Sequence, residues 1–333
     1  MKLLKRNRFI SWVLAILLYL LLPACAATLQ PPALPDPDLA WQELPELPEA
    51  MRQSLSGSEI RRITAENGTV VPVRLFGSDG NRMPLLMVHG LQSHSGWFSQ
   101  SAAFLASLGY PVYVMDRRGS GLSQAPRGDI KDFMQWANDI EAVRAYAIKQ
   151  HGGSQVFLLG HCFGAIPATL YAERTPEAIK GLILTTPGIF TYTSIPFSQM
   201  LKIATTLSGQ RDYYLPVPLD PDQFSELPEY EPLIAADPLA LRSVTGDLYW
   251  QIHRARQYIK SNSDQLTMPI LVGMAGEDEI ADNRQNRQWL VDVPSPDKTE
   301  MTYPEARHIL EYSLERQRYF EDLRQWLFRI EER

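Results

Sequence analysis

The sequence predicts an α/β fold with a mostly parallel sheet, helices on both of its faces and one inserted helical segment. Uncharged apolar runs of strand length alternate with stretches of helical periodicity, which is the pattern of a doubly covered parallel sheet. One such run, at residues 156–161, leads directly into a glycine-flanked turn and a small-residue helix. The alternation stops at residues 188–266 and then resumes, which indicates an insertion between two core strands.

The composition is that of a globular protein with one large or two small domains. The chain has 333 residues, of which 45% are hydrophobic and 21% charged. A formal net charge of −6, with no basic stripe beyond the first eight residues, argues against a nucleic-acid groove. Two cysteines are too few for a disulfide framework.

Residues 1–24 are predicted to be a lipoprotein-type signal peptide. A basic start precedes an uncharged apolar run at residues 9–22, and Leu-Pro-Ala-Cys at 22–25 resembles a bacterial lipobox. Cys25 is therefore expected to become the lipidated amino terminus of an exported bacterial protein, anchored at the outer membrane or cell-surface side. An uncleaved membrane anchor is the alternative, although the run is short for a full span.

Residues 25–55 are rich in proline and acidic side chains, and we expect a semi-rigid tether there. The remaining residues, 56–333, are predicted to form the catalytic domain. It begins with a hairpin, because alternating strands at 60–65 and 69–76 flank the turn dipeptide Asn67-Gly68. Further strands are expected at 84–90, 111–116, 156–161, 179–185, 269–275 and 299–303, and helices at 139–150, 165–174, 284–291 and 316–330.

The turn after the central strand reads Gly160-His-Cys162-Phe-Gly164. Between a strand and a helix, this spacing is typical of a nucleophile elbow. A side chain at either glycine would collide with the neighbouring backbone where the chain reverses. Cys162 would project from the carboxyl edge of the sheet at the amino end of a helix, where the unpaired N–H groups favour a thiolate.

A cysteine nucleophile needs a base, and the base needs an orienting carboxylate. Only His253 and His308 follow Cys162 in the chain, and His253 lies within a helical stretch of the insertion, which indicates a surface or packing residue. His308 is predicted as the base because it lies in a loop between the last strand and the last helix. Asp278 stands closest to the position required of the acid, and Asp282 is the alternative.

An oxyanion formed at the substrate carbonyl requires two N–H donors. The backbone N–H of Phe163 follows the nucleophile directly, and that of Leu91 lies in the loop after the first buried strand. His89 in that loop is interpreted as a structural brace. The six histidines show no His-x-x-x-His pair and the cysteines no Cys-x-x-Cys pair, so neither a metal nor another cofactor is expected.

The insertion at about 188–266 is predicted to be a helical lid. An apolar face recurs there at helical spacing: Phe197, Met200, Leu201, Ala204 and Leu207. Phe197, Met200 and Leu201 are expected to line a pocket for an acyl chain, which makes a lipid or small-molecule ester the expected partner.

These motifs together resemble the α/β-hydrolase superfamily, in its monoacylglycerol lipase, lysophospholipase and serine aminopeptidase branch. The resemblance rests on His89-Gly90, the run Asp-Arg-Arg-Gly-Ser-Gly-Leu-Ser at 116–123, the elbow, residues 269–282 and His308. It implies an α/β-hydrolase fold and a carboxylic ester hydrolase with acylglycerol-like or lysophospholipid-like substrates. The branch carries serine at the elbow, whereas this chain carries Cys162. An acyltransferase that uses the same acyl-cysteine, or a non-catalytic binding protein, remains an alternative.

Overall fold

A computed structural model describes residues 41–192, 195–206 and 210–333. The predicted signal peptide, the lipidation site Cys25 and Leu207 of the lid face lie outside these ranges, so the interpretations placed on them stay predictions. Within the described ranges, no helix is long and apolar enough to cross a membrane.

The described residues form one large mixed sheet and a small two-stranded one. The large sheet contains β1 (Ser58–Thr64), β2 (Val70–Phe76), β3 (Leu85–Val88), β4 (Val112–Met115), β5 (Val156–His161), β6 (Ile179–Thr185), β9 (Ile270–Ala275) and β10 (Lys298–Tyr303). Their order is β1-β2-β4-β3-β5-β6-β9-β10. The β1–β2 and β2–β4 pairs are antiparallel, and all later pairs are parallel. The small sheet pairs β7 (Tyr214–Pro216) with β8 (Ser243–Thr245).

Helices cover both faces of the large sheet, and three more lie in the described part of the insertion together with the small sheet. They are α1 (Glu49–Ser56), α2 (Ser99–Ser107), α3 (Met134–His151), α4 (Ala165–Arg174), α5 (Phe197–Thr205), α6 (Tyr230–Ala236), α7 (Gly246–Asn262), α8 (Asn283–Asp292) and α9 (Arg316–Glu331). A hydrophobic core lies on each face of the large sheet, and successive side chains of β5 point alternately into one and the other. Leu158 packs with α3 and α4, and Leu159 packs with α2 and α9. The predicted α/β architecture is confirmed, including the hairpin, in which Gly68 has a φ of 80°.

The segment predicted as a tether differs from the prediction in its second half. Trp41 is completely buried, and α1 turns Met51 and Leu55 into the core beneath α2. Met51 and Leu55 are four residues apart and lie on one face of α1, and Leu47 is buried just before the helix begins. Residues 41–55 of the described chain therefore belong to the globular part, which the prediction started at residue 56.

One buried carboxyl in α4 gives the stability of the fold a pH dependence. Neither oxygen of Glu173 has a hydrogen-bond partner among the described residues. Burial, with a smaller contribution from Asp264, raises the pKa of Glu173 to about 9. The unfolded carboxyl ionises near its ordinary pKa of 4.5, so between that pH and about 9 Glu173 is protonated in the folded state and ionised in the unfolded state. The folded state therefore becomes less stable as the pH rises through this range.

Glu173→Gln is therefore expected to raise the melting temperature at pH 8 by about 3–6 °C and to change it little at pH 4.5. Thermal melts of both proteins across that range measure the difference. If the difference in melting temperature between the two proteins stays constant or becomes smaller as the pH rises, Glu173 is not the titrating group.

Candidate active site

The turn that carries Cys162 has little room and an unusual backbone conformation. Cys162 has a φ of 51°, a left-handed value that few residues other than glycine adopt. A Cβ at Gly160 would lie 2.6 Å from the Gly164 carbonyl oxygen, and a Cβ at Gly164 would lie 2.0 Å from that of Val88. Both positions therefore require hydrogen in place of a side chain.

A second loop holds the turn from the other side. The N–H of Gly188, just after β6, donates to the Cys162 carbonyl oxygen at 2.8 Å. A Cβ at Gly188 would lie 2.9 Å from the Phe163 nitrogen, so this loop can approach only because residue 188 is glycine. The backbone of the elbow is thus fixed at the carboxyl edge of the sheet.

The loop after β10 brings His308 to the carboxylate that follows β9. His308 Nδ1 lies 2.9 and 3.0 Å from the two oxygens of Asp278, and both side chains are buried. Asp278 Oδ1 also accepts the backbone N–H groups of Ile280 and Ala281 at 2.9 Å, which fixes the carboxylate.

The alternative acid has a different position in the structure. Asp282 is the N-terminal cap of α8, where Oδ1 accepts the N–H of Gln285 at 3.0 Å. The geometry therefore places Asp278, and not Asp282, on His308.

The electrostatics of the site favour a protonated imidazole. Burial alone would lower the pKa of His308, but the charges of Asp278 and then Cys162 outweigh it and raise that pKa to about 10. No hydrogen bond of normal geometry joins Nε2 to the Cys162 sulfur, although the thiol is close enough to contribute to the shift. His308 is thus placed to exchange a proton with the Cys162 thiol.

The two predicted oxyanion donors belong to residues that border the same pocket as Cys162. Phe163 lies in the first turn of the short 3₁₀ helix Cys162–Gly164, where a backbone N–H has no acceptor within the helix. Leu91 lies in the loop after β3, beside the elbow.

Arg117, which belongs to the motif at 116–123 but was assigned no role of its own from the sequence, braces the loop that carries Leu91. Its Nη2 donates to the carbonyl oxygens of Gly90 and Leu91 at 2.7 and 2.9 Å, and its guanidinium lies 4.6 Å from the centre of the Phe163 ring. Burial lowers the pKa of Arg117 to about 9, so it remains a cation at neutral pH. His89 accepts the backbone N–H of Arg117 at 3.1 Å, as expected of a brace.

A cavity of about 460 Å³ opens above Cys162, between the elbow and the insertion. Its walls are mainly apolar and include Ile195, Met200, Ile203, Ala204, Val217, Leu219, Tyr249, Trp250, Ile252 and Ile280. Such a lining suits a hydrocarbon chain.

The structure corrects two of the three pocket residues predicted on α5. Met200 lines the cavity, but Phe197 and Leu201 do not, and they are 76% and 53% exposed. Each residue turns a helix by about 100°, so when Met200 and Ile203 face the cavity, Leu201 points away from it. The predicted apolar face therefore includes two residues, Phe197 and Leu201, that lie on the solvent side of α5.

Helix α7 contributes polar groups to the cavity wall. His253 lines the cavity beside Trp250, with their ring centres 5.6 Å apart, and it is exposed as the sequence interpretation expected. Arg256 follows one turn later on the same face. The helical spacing of 249, 252, 253 and 256 marks this face, but periodicity does not reveal which partner a helical face meets.

Comparison with known proteins decides the family. The sequence matches the serine aminopeptidase S33 family over residues 80–315, more than half of the chain. The chain belongs to this family. As an S33 hydrolase it has the α/β-hydrolase fold that its motifs predict.

Within the described residues, no group of three or more His, Cys, Asp or Glu side chains could hold a metal ion.

Individual relatives of this S33 hydrolase are monoacylglycerol lipases. It is 25% identical over 269 residues to monoglyceride lipase from Homo sapiens, covering 80% of this chain and 89% of that protein. It is also 25% identical over 248 residues to monoacylglycerol lipase from Mycolicibacterium smegmatis, covering 73% and 87%. The crystal structure of monoacylglycerol lipase from Paleococcus ferrophilus shares the fold, with a TM-score of 0.70, 23% identity and coverage of 82% and 99%.

Proposed function

We propose that this S33 hydrolase cleaves carboxylic esters of acyl chains, of the acylglycerol or lysophospholipid kind, through an acyl-Cys162 intermediate. The observation that carries the proposal is the buried Asp278–His308 pair beside Cys162, which itself lines a mainly apolar cavity. The similarity to monoacylglycerol lipases supports the same substrate class.

In the first step the Cys162 sulfur attacks the ester carbonyl carbon as a thiolate, its proton having passed to His308. The carbonyl π electrons move to oxygen, and the N–H groups of Leu91 and Phe163 stabilise that oxyanion. When the tetrahedral species collapses, the C–O bond breaks, and His308 gives its proton to the departing alcohol. Asp278 holds the imidazole in the required orientation throughout.

In the second step water attacks the thioester. His308 now accepts a proton from the water, and the same two N–H groups stabilise the second oxyanion. Collapse of this species breaks the C–S bond and releases the carboxylic acid. An alcohol in place of the water would turn the same sequence into acyl transfer, which is the alternative outcome of this chemistry.

Acyl-chain length provides the test of the substrate class. If the cavity holds the chain, kcat/KM for p-nitrophenyl esters should rise from acetyl to octanoyl, by at most about fourfold for each methylene buried. Met200→Glu places a charge on the cavity wall and is expected to flatten this rise. The matched control is Leu201→Glu, because Leu201 is 53% exposed against 48% for Met200 and does not line the cavity.

Steady-state kinetics on the ester series measures how steeply kcat/KM rises with chain length in each variant, and circular dichroism verifies that each variant is folded. We expect the control to keep the slope of the wild type. A profile that peaks at acetyl in the folded wild type, or equal flattening by both variants, would contradict an acyl chain in this cavity.

A further inference from the structure

Arg256 differs from every other residue that lines the cavity. The lining contains His253 and several apolar side chains, but among the described residues it includes no aspartate or glutamate, and Arg256 is its one permanently charged group. No carboxylate of the described chain lies within ion-pairing distance of the Arg256 guanidinium, although ion pairs are frequent elsewhere in the protein. No carboxylate of the described residues therefore balances the positive charge that Arg256 brings to the cavity.

The contacts of Arg256 place this charge close to the nucleophile. Its Nη2 donates to the Gly188 carbonyl oxygen at 3.0 Å and to the Thr191 hydroxyl oxygen at 3.3 Å. The same Gly188 donates its own N–H to Cys162. The guanidinium is thus bound to the same residue, Gly188, that holds the elbow, and Cys162 is near enough to act on it electrostatically.

These two hydrogen bonds do not neutralise the positive charge of Arg256. Both acceptors are neutral, and Nε of Arg256 is buried without a hydrogen-bond partner among the described residues. Arg256 is half-buried, and placing a partly desolvated cation beside apolar walls is unfavourable unless an anion neutralises it. Burial lowers the pKa of Arg256, with Cys162 opposing, yet a guanidinium stays charged at neutral pH.

We propose that Arg256 is a specificity residue that binds an anionic group, a phosphate or a carboxylate, carried by the ester substrate close to its reacting carbonyl. The inference deepens the proposed ester hydrolase function and rests on it. The Nη1 amino group of the guanidinium, which makes no hydrogen bond to the described residues, can donate a charge-assisted hydrogen bond to either oxyanion. The apolar walls would then take the acyl chain while Arg256 takes the charged end of the alcohol.

The test uses substrate pairs that differ in charge but share a dodecanoyl chain. Dodecanoyl glycerol phosphate is compared with dodecanoyl glycerol, and O-dodecanoyl glycolate with the dodecanoyl monoester of ethylene glycol. The quantity measured is the ratio of kcat/KM for the anionic ester to that for its neutral partner. Arg256→Met should lower this ratio at least about tenfold for the pair whose anion is recognised, because a charge-assisted hydrogen bond is lost. The pair that responds identifies the anion as phosphate or carboxylate.

Two further variants keep the outcome interpretable. Arg254→Met removes a positive charge from the same helix, but Arg254 contacts Gln251 and the Phe133 ring instead of the cavity, so it should leave both ratios unchanged. Arg256→Lys keeps the charge without the planar fork and should give an intermediate ratio, which also covers the case that the methionine variant misfolds.

The outcomes separate this inference from the proposed function. A fall of equal size on charged and neutral esters would show that Arg256 only supports Cys162 or the Gly188 loop, and would overturn the inference while ester hydrolysis stands. A ratio unchanged in both Arg256 variants would overturn it as well. Absence of Cys162-dependent cleavage for all four esters would instead refute the proposed function.

Discussion

Replacing Cys162 with alanine is expected to lower kcat/KM for ester cleavage by at least about a thousandfold, because the group that forms the covalent intermediate is removed. His308→Ala should have a loss of similar size, since no other buried base contacts Asp278 in the described chain. The two residues act as one unit, so the double variant should be hardly slower than either single variant. Initial rates on an octanoyl ester measure all three.

Folding is the control for this experiment. Cys162 is a small side chain that is 5% exposed, so alanine should leave the melting temperature within a few degrees of the wild type. Turnover by a folded Cys162→Ala protein within tenfold of the wild type would assign the nucleophile elsewhere.

The second large effect concerns the carboxylate behind the base. Asp278→Asn should lower kcat by about a hundredfold to ten-thousandfold, because an amide can donate to Nδ1 and then favours the wrong tautomer of His308. It also removes the negative charge that raises the pKa of His308, so the variant histidine should become neutral at a lower pH. Rates as a function of pH measure both effects.

Asp282→Asn is the matched control, since it makes the same chemical change four residues away. Asparagine caps a helix about as well as aspartate, so α8 should be preserved and activity should stay within about threefold of the wild type. A larger loss from Asp282→Asn than from Asp278→Asn would mean that the wrong carboxylate is assigned to His308.

Local sequence signals determined most of the fold. The uncharged strand at 156–161 has to be buried on both faces, and Asn67-Gly68 admits a tight hairpin. The start of the domain was less predictable, because proline content alone indicated a tether. The burial of Trp41 depends on a cavity built from distant residues, including His94, whose ring centre lies 4.8 Å away.

The residues of the candidate site were likewise only partly predictable from the sequence. Chain order and loop position pointed to Cys162 and His308, because an elbow and a loop after the last strand meet at one edge of the sheet. The choice between Asp278 and Asp282 needed coordinates, since both follow β9 within a short acidic run. Arg256 was not predictable, because its role depends on the docking of α7 over the elbow, which no local pattern encodes.

The most direct test of the central claim is the intact mass of the protein, quenched by acid within seconds of mixing with p-nitrophenyl octanoate. We expect the mass to increase by one octanoyl group, peptide mapping to place that group on Cys162, and the adduct to disappear as the ester is consumed. Cys162→Ala should show no adduct under the same conditions. An octanoyl group on a different residue, or an unmodified Cys162→Ala protein that still cleaves the ester at the rate of the wild type, would contradict the acyl-cysteine mechanism.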